Sequence, residues 1–297
     1  MSALVSVVIA TRDRAEQLRG CLHALRGSLP PPGWSVEVIV VDNGSTDATA
    51  GVVASERAAG VLGVRYLVES RRGKAYAVNT GTAAAAGALI AFLDDDVVPE
   101  AGWLYHAVAP FDRDPGLGLL AGRVVGPGSG GGPATTQANE ETPLDPDRSL
   151  QGLVLGCNLA VRPEVIAAVR GRDTRLGPGR GFAYEDIDFV YRVLRRGVRG
   201  LFSPLPIVVH HPGDRNRSVE YLRGRGAYYA KFIVQGDRTV TRQAWWELTG
   251  LWHDFRRGLV RPAGRAPTRA WHLGVGALRM TARMLASSVR IGEDRRG

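Results

Sequence analysis

The sequence predicts an α/β fold, a mostly parallel sheet flanked by helices, with a helical extension at its C-terminal end. Three observations carry the prediction. Largely apolar, β-branched runs at 4–10 (LVSVVIA), 36–41 (VEVIVV) and 89–93 (LIAFL) have the length and composition of strands buried on both faces. Segments of helical period lie between them, so strand, turn and helix alternate as in βαβ units. From Val219 onward the strand pattern stops and helical stretches follow at 219–235, 241–258 and 267–291.

The elements follow in order. Residues 4–10 end in a polar turn, Thr11-Arg12-Asp13-Arg14, and residues 15–25 then place Leu18, Leu22 and Leu25 on one helical face. A Pro/Gly break at 30–33 precedes the strand at 36–41. That strand ends in Asp42-Asn43-Gly44-Ser45-Thr46-Asp47, a turn and helix start that Ser45 or Thr46 can cap. Residues 64–68 make a short third strand, 73–86 a small-residue helix, and 89–93 the fourth strand. Polar turns thus collect at strand C-terminal ends, the edge where open α/β sheets bind ligands. No GxGxxG follows the first strand and no GxxxxGK(S/T) occurs, which argues against a dinucleotide site and a P-loop.

The chemistry centres on Asp94, Asp95 and Asp96, directly after the fourth strand. Adjacent anions need compensation when buried, and a hard divalent cation held through oxygen supplies it. Side chains alternate along a strand, so Asp94 and Asp96 are expected on one side, sharing a site, with Asp95 on the other. A solvated acidic turn is the plain alternative.

Beyond it, 103–111 reads as a helix and 117–125 contains a strand. Residues 126–148, rich in Gly and Pro, read as a mobile lid. β character resumes at 150–162, Pro163 opens a short helix, and 172–182 is irregular. Glu185, Asp186 and Asp188 occupy the first turn of a helix ending near Gly197, a place where the helix dipole alone favours acids. Strands at 198–204 and 207–211 close this body.

Composition sets bounds. A 44% hydrophobic content fits a real core. Cys21 and Cys157 are too few for a disulfide framework or a structural zinc site and read as buried thiols in a reducing compartment. No run of about 20 apolar residues spans a bilayer, and the N-terminal segment lacks a signal-peptide pattern, so a cytoplasmic location is expected. The net charge is +9, with Lys74 and Lys231 the only lysines. Basic residues gather from Arg256 through Arg257, Arg261, Arg265 and Arg269. A helix follows in which Trp271, Val275, Leu278, Leu285 and Val289 alternate with Arg279, Arg283 and Arg290. Such an element either packs on the body with its arginines in water or docks peripherally on the anionic inner face of a membrane. A nucleic-acid partner is disfavoured, because no binding module is recognisable and the triple acid repels phosphate without a metal.

Four motifs in order resemble the family 2 glycosyltransferases of the GT-A fold, whose sheet is Rossmann-like. They are 5–14 (VSVVIATRDR), 40–49 (VVDNGSTDAT), 73–81 (GKAYAVNTG) and 92–99 (FLDDDVVP); Gly156-Cys157-Asn158 and Glu185-Asp186-Ile187-Asp188 complete the pattern. The resemblance covers about 3–212. It implies a catalytic domain over 1–215, with a nucleotide-binding half at 1–98 and an acceptor-binding half at 99–215, followed by the basic helical extension at 216–297.

The resemblance also implies roles. Thr11 and Arg14 would border the nucleobase pocket, and Asp42 would accept a hydrogen bond from the base, typically uracil. Asp47 would be a helix cap or a ligand. Arg71, Arg72 and Lys74 would face the diphosphate or base. Asp94 and Asp96 would form the DXD signature, Asp96 on the metal (Mn2+ or Mg2+) and Asp94 nearer the ribose or sugar hydroxyls, with Asp95 also at the donor. His210 or His211 would complete the metal site, although a lone histidine is more often structural. Asp186, with Glu185 beside it, would be the base that deprotonates the acceptor hydroxyl. Asn158 would meet the acceptor, and Asp188 would be structural or aid acceptor binding. The processive members' Gln-x-x-Arg-Trp is absent, the corresponding region reading Tyr191-Arg192-Val193-Leu194-Arg195-Arg196, which implies transfer of a single sugar. The expectation is therefore inverting transfer of one sugar from a nucleotide-diphosphate sugar, UDP-linked by preference, to an acceptor hydroxyl. The segment 181–211 also looks like part of the galactosyl- and N-acetylgalactosaminyltransferases, so a retaining enzyme is one alternative; a catalytically inactive nucleotide-sugar-binding protein is another.

Overall fold

A computed structural model of the chain describes residues 2–127, 135–211, 218–256, 270–282 and 284, without the side chains of residues 218 and 251–256. Along the chain run β1 (Ala3–Thr11), α1 (Ala15–Arg26), β2 (Trp34–Asp42), α2 (Thr49–Ala59), β3 (Val64–Val68), α3 (Lys74–Ala84), β4 (Leu89–Asp94) and β5 (Val97–Pro99). There follow α4 (Trp103–Arg113), β6 (Leu117–Val125), β7 (Thr142–Leu144), β8 (Asn158–Val161), α5 (Pro163–Ala168), α6 (Glu185–Leu194), β9 (Arg199–His210), α7 (Ser218–Val234) and α8 (Arg238–Arg256). The chain divides into two compact units, Met1–Arg172 with Asp186–Arg215, and Asp173–Glu185 with Asn216–Gly297.

The first unit holds one sheet in the order β3-β2-β1-β4-β8-β6-β9-β5, with β7 also paired to β9. β1 is central to the parallel part, paired with β2 on one side and β4 on the other. Its faces are covered too, Val5, Val7 and Ile9 sharing a core with Leu18 and Leu22 of α1 and Val8 lying against Gly81 of α3, which is why these residues form a continuous apolar run and are buried. Register brings Thr11 beside Asp42 and Ala10 beside Asp94, so three parallel strands end at one edge. Beyond β4 the sheet is mixed: β8 runs antiparallel to β4 and β6, while β6 and β9 are parallel.

Several boundaries differ from the sequence reading. The strands expected at 198–204 and 207–211 are one strand, β9, whose register against β6 skips from Ser203 to Ile207. The two prolines there, Pro204 and Pro206, lack ladder donors and suit a bulge. β8 spans only 158–161 of the expected 150–162. The segment expected as a lid is anchored where it is described: Thr136 N–H donates to the Val124 carbonyl and β7 pairs with β9. Its residues 128–134 lie outside the described residues, as do the side chains of Arg256 and Leu251 and all of Arg257, Arg261, Arg265, Arg269, Arg283, Leu285, Val289 and Arg290. Neither Ser45 nor Thr46 caps α2. The N-cap is Ala48, and Asp47 before it accepts from Thr49 N–H and Thr49 Oγ1, while its other oxygen accepts from Ala15 N–H at the start of α1.

The second unit is built by close helix packing. Its core includes Leu176, Phe182, Ala227, Ala230 and Met280. Gly226 of α7 faces the Leu273 backbone and Gly276 faces the Arg223 backbone, each with no room for a Cβ. Lys231 is buried and paired with Asp173 at 2.8 Å. Glu247 of α8 turns inward onto Arg225 and the Tyr229 hydroxyl of α7. Among the described residues no helix is long and apolar enough to cross a membrane.

Gly81 lets α3 lie on the sheet: a Cβ there would stand 2.5 Å from Val8 Cγ1 and 2.9 Å from Val41 Cγ2. Gly81→Ala gains about 1 kcal/mol of helix propensity, but overpacking costs about 1–3 kcal/mol. A net loss of about 1 kcal/mol is expected, read as a lower urea midpoint at unchanged m-value.

Candidate active site

β4 delivers Asp94 to the ligand edge and ends there; Asp95 and Asp96 lie in the turn before β5. Strand alternation therefore does not extend past Asp94, and the expected sharing of one face by Asp94 and Asp96 gives way to a different pairing. Arg14 Nη1 donates to both Asp95 Oδ1 (2.9 Å) and Asp96 Oδ2, joining those two. Thr11 Oγ1 donates to Asp95 Oδ2 at 2.8 Å. Asp94 belongs to Lys74, whose Nζ lies 2.6 Å from its carboxylate. So Thr11 and Arg14, expected at the nucleobase, hold the acidic turn.

The two buried carboxyls of the turn differ in character. Burial pushes the Asp95 carboxyl up to about 6, with Arg14 offsetting only part of the effect. Burial also acts on Asp96, but the hydrogen bond from His210 and the Arg14 charge outweigh it and hold Asp96 well below the usual carboxylate range.

Of the expected metal set, Asp96 and His210 are together, Nε2 lying 3.5 Å from Oδ1. β5–β9 pairing causes this by placing Val97 opposite His210. His211 is exposed and reaches Asp96 only through its backbone N–H, bonded to the Asp96 carbonyl. Among the described residues no three His, Cys, Asp or Glu side chains gather around one point. The four-residue set Asp94, Asp96, His210 and His211 is thus reduced to a carboxylate–imidazole pair.

The loops after β1 and β2 clasp each other. Asp13 accepts from Thr46 N–H, Ser45 Oγ accepts from Asp13 N–H, and Asp47 accepts from Ala15 N–H of α1 and from the Thr49 hydroxyl of α2. Asp42 is buried at the same edge, its oxygens accepting from Ser45 N–H (2.7 Å) and the Tyr66 hydroxyl (2.6 Å). Asn43 pins the next loop by bonding to the Glu69 and Arg71 carbonyls and to Gly73 N–H. Arg71 forks onto Glu69 and lies over the Tyr76 ring.

Glu185 opens α6 and Asp186 follows it, and both are buried. Asp186 Oδ2 accepts from Gly156 N–H and Oδ1 from Ile187 N–H, each at 2.8 Å. A Cβ on Gly156 would lie 2.8 Å from Asp186 Cβ, so only glycine permits this approach. Next to Gly156 sits Cys157. Burial, then Asp94, Asp96 and Asp186, push its thiol well above its ordinary range against the pull of Lys74.

Of the two expected acceptor residues, Asn158 differs from its expected place and Asp188 follows the structural one of its two options. Asn158 is a buried clamp: Oδ1 accepts from Trp103 Nε1, and Nδ2 donates to the Arg123 and Pro206 carbonyls. Both ends of the amide are engaged, and it joins α4, β6 and the β9 bulge. Asp188 is fully buried against Arg192, which also donates to the Val169 and Gly171 carbonyls. The structural option for Asp188 is the one its surroundings support. Residues missed in the sequence include Tyr66, Glu69 and Tyr184. Tyr184, just before the acid pair, has φ of 92°, a region that disfavours side chains, and no sequence signal marks it.

Residues 6–172 match the family model described as glycosyl transferase family 2. The chain belongs to that family. It is 32% identical over 237 residues to the pre-mycofactocin glycosyltransferase of Mycobacterium tuberculosis, covering 76% of this chain and 46% of the relative. It is 32% identical over 168 residues to the glycosyltransferase AglE of Haloferax volcanii, covering 56% and 54%. The chain spans about half the length of these curated relatives. Among solved structures, the mannosyltransferase PcManGT of Pyrobaculum calidifontis, in complex with GDP-Man and Mn2+, matches with TM-score 0.65 at 20% identity over 98% of this chain and 81% of that one. S. aureus TarS matches with TM-score 0.61 at 18% identity over 78% and 39%. These likenesses establish the fold, which in this family 2 member is GT-A.

Two tests follow from the geometry. Asn158→Ala leaves Trp103 Nε1 and two carbonyls without their partner; a loss of about 3 kcal/mol is expected in chemical denaturation. Glu69 is held from its ordinary 4.5 down to about 2 by the Arg71 hydrogen bond, with burial opposing and Thr80 assisting. Its contribution is complete above pH 4.5 and is lost as the pH falls toward about 2. Glu69→Gln should flatten the acid side of the stability–pH curve across that window.

Proposed function

We propose that this family 2 member is a metal-dependent, non-processive, inverting glycosyltransferase that moves one sugar from a nucleotide-diphosphate sugar, UDP-linked by preference, to an acceptor hydroxyl. The observation that carries the reading is geometric: β8 pairs with β4, Leu93 opposite Asn158, and Gly156, two residues before Asn158, donates its N–H to Asp186 Oδ2 at 2.8 Å. That pairing supports a reading in which the leaving-group site follows β4 and the base lies on the segment packed beside it. The complexes of the structural neighbours, GDP-Man with PcManGT and UDP or UDP-GlcNAc with TarS, lend support to a nucleotide-sugar donor.

In this reading residues 1–98 hold the donor, 99–215 shape the acceptor side, and 216–297 form the extension. Asp42 receives the base: each carboxylate oxygen keeps a further lone pair, which suits the N3–H of uracil. Lys74 and Arg71 at the start of α3 meet the diphosphate. The paired oxygen of Asp96 and nitrogen of His210 are a donor set that fits a borderline-hard cation such as Mn2+, with Mg2+ as the oxygen-preferring alternative. When bound, such a cation neutralises the negative charge that builds on the departing diphosphate. Asp94 and Asp95 stay with their cations and keep the turn in shape. Asp186 takes the proton from the acceptor hydroxyl; its two backbone donors fix the carboxylate's direction without using all its lone pairs. Glu185 supports it at the helix start.

Pre-mycofactocin, named by the mycobacterial relative, belongs in the acceptor panel. The test is release of nucleoside diphosphate from a donor panel with Mn2+ or Mg2+. Asp186→Asn should lower kcat by at least about 100-fold, and Asp96→Ala should abolish the dependence on added cation. Full activity in both variants overturns the site assignment. The anomeric configuration of the product, read by NMR, tests inversion.

A further inference from the structure

The second unit carries a surface that the catalytic reading does not use. On α8, Val240 and Ala244 are buried and Glu247 bonds inward to Arg225 and Tyr229. The opposite face is exposed and unusual: Trp245 is 67% and Trp246 71% exposed, with Leu248 at 50%. At about 100° per residue, the two indoles flank the outward direction of the helix, and Arg238, Arg242 and Thr249 project between them. The described side chains of that face include no acid, because Glu247, the acid within this stretch, is turned in.

Charge follows the same division. Residues 216–297 hold sixteen Lys and Arg against six Asp and Glu, whereas residues 1–215 hold 22 against 23. The whole positive excess of the chain therefore lies in the segment that carries the exposed indoles. Trp271 (68%) and Leu278 (74%) on the helix at 270–282 add exposed apolar surface to this unit, with Arg279 beside them.

We infer that the outward face of α8 docks on an anionic lipid surface. Adjacent indoles about 100° apart cannot enter one pocket, but both can lie in a planar interfacial layer, where Trp is favoured. Arginines between them then meet lipid headgroups, and their aliphatic stems lie along the apolar boundary. The sequence reading placed membrane contact in the arginine run and last helix; the structure assigns it to Arg238, Arg242, Trp245 and Trp246. None of these residues belongs to the proposed catalytic machinery, so the inference stands or falls apart from it.

The test uses the full chain and sedimentation with vesicles of phosphatidylcholine alone or with 30% phosphatidylglycerol. Binding to the anionic vesicles is expected, with a blue shift of Trp emission and release by added salt. Trp245→Ala/Trp246→Ala and Arg238→Gln/Arg242→Gln should each weaken binding at least about tenfold, at unchanged thermal midpoint since all four side chains are exposed. Absence of binding to anionic vesicles, or equal binding by both double variants, overturns the inference. So does binding of an RNA oligonucleotide in place of vesicles, or a dimer dispersed by the tryptophan substitutions.

Discussion

The bond from Arg14 to two carboxylates is the constraint on which the site depends. An apolar strand that runs into three consecutive acids creates a charge that a folded interior does not tolerate unpaired. The sheet solves this with cations from different loops. Arg14 follows β1 and takes Asp95 and Asp96; Lys74 opens α3 and takes Asp94. β4 thus leads into the acids, and the segments after β1 and β3 supply the counter-charges at the same edge. Opposite protonation tendencies in Asp95 and Asp96 arise from the same turn, because one carboxyl adds a histidine to its partners and the other adds only a threonine hydroxyl.

Much of this was legible in the residues. Runs buried on both faces mark β1, β2 and β4, and polar turns mark where they end. The fourth strand was read as ending at Leu93, one residue short of Asp94, and alternation could not be carried into the acids beyond, since a turn has no period. Asn158 shows the opposite failure. A polar residue in a motif invites a functional reading, yet its three partners come from α4, β6 and β9, segments that sequence spacing does not bring together. The β9 bulge escaped for a related reason: two prolines look like a break until the neighbouring strand is seen to continue across them. Asp13 and Asp47 were read as local turn residues, and their partners lie in each other's loops.

The second unit reads differently. A helix with paired tryptophans resembles a core element, because large apolar side chains are usually inside. In α8 small residues face inward and the tryptophans face out. Glycines at the crossing of α7 with the helix at 270–282 explain how small residues suffice: backbones that approach this closely leave no space for bulk.

The pairing of Asp96 with His210 has a consequence for synthesis. β1 to β4 associate through neighbouring segments and leave the ribosome early, whereas β5 gains its partner only when β9 emerges. The acidic turn is therefore finished by nearly the last strand of its unit. A translation product that stops before β9 carries three acids and their two counter-charges but not the His210 imidazole. Such fragments are left unfinished by the topology itself.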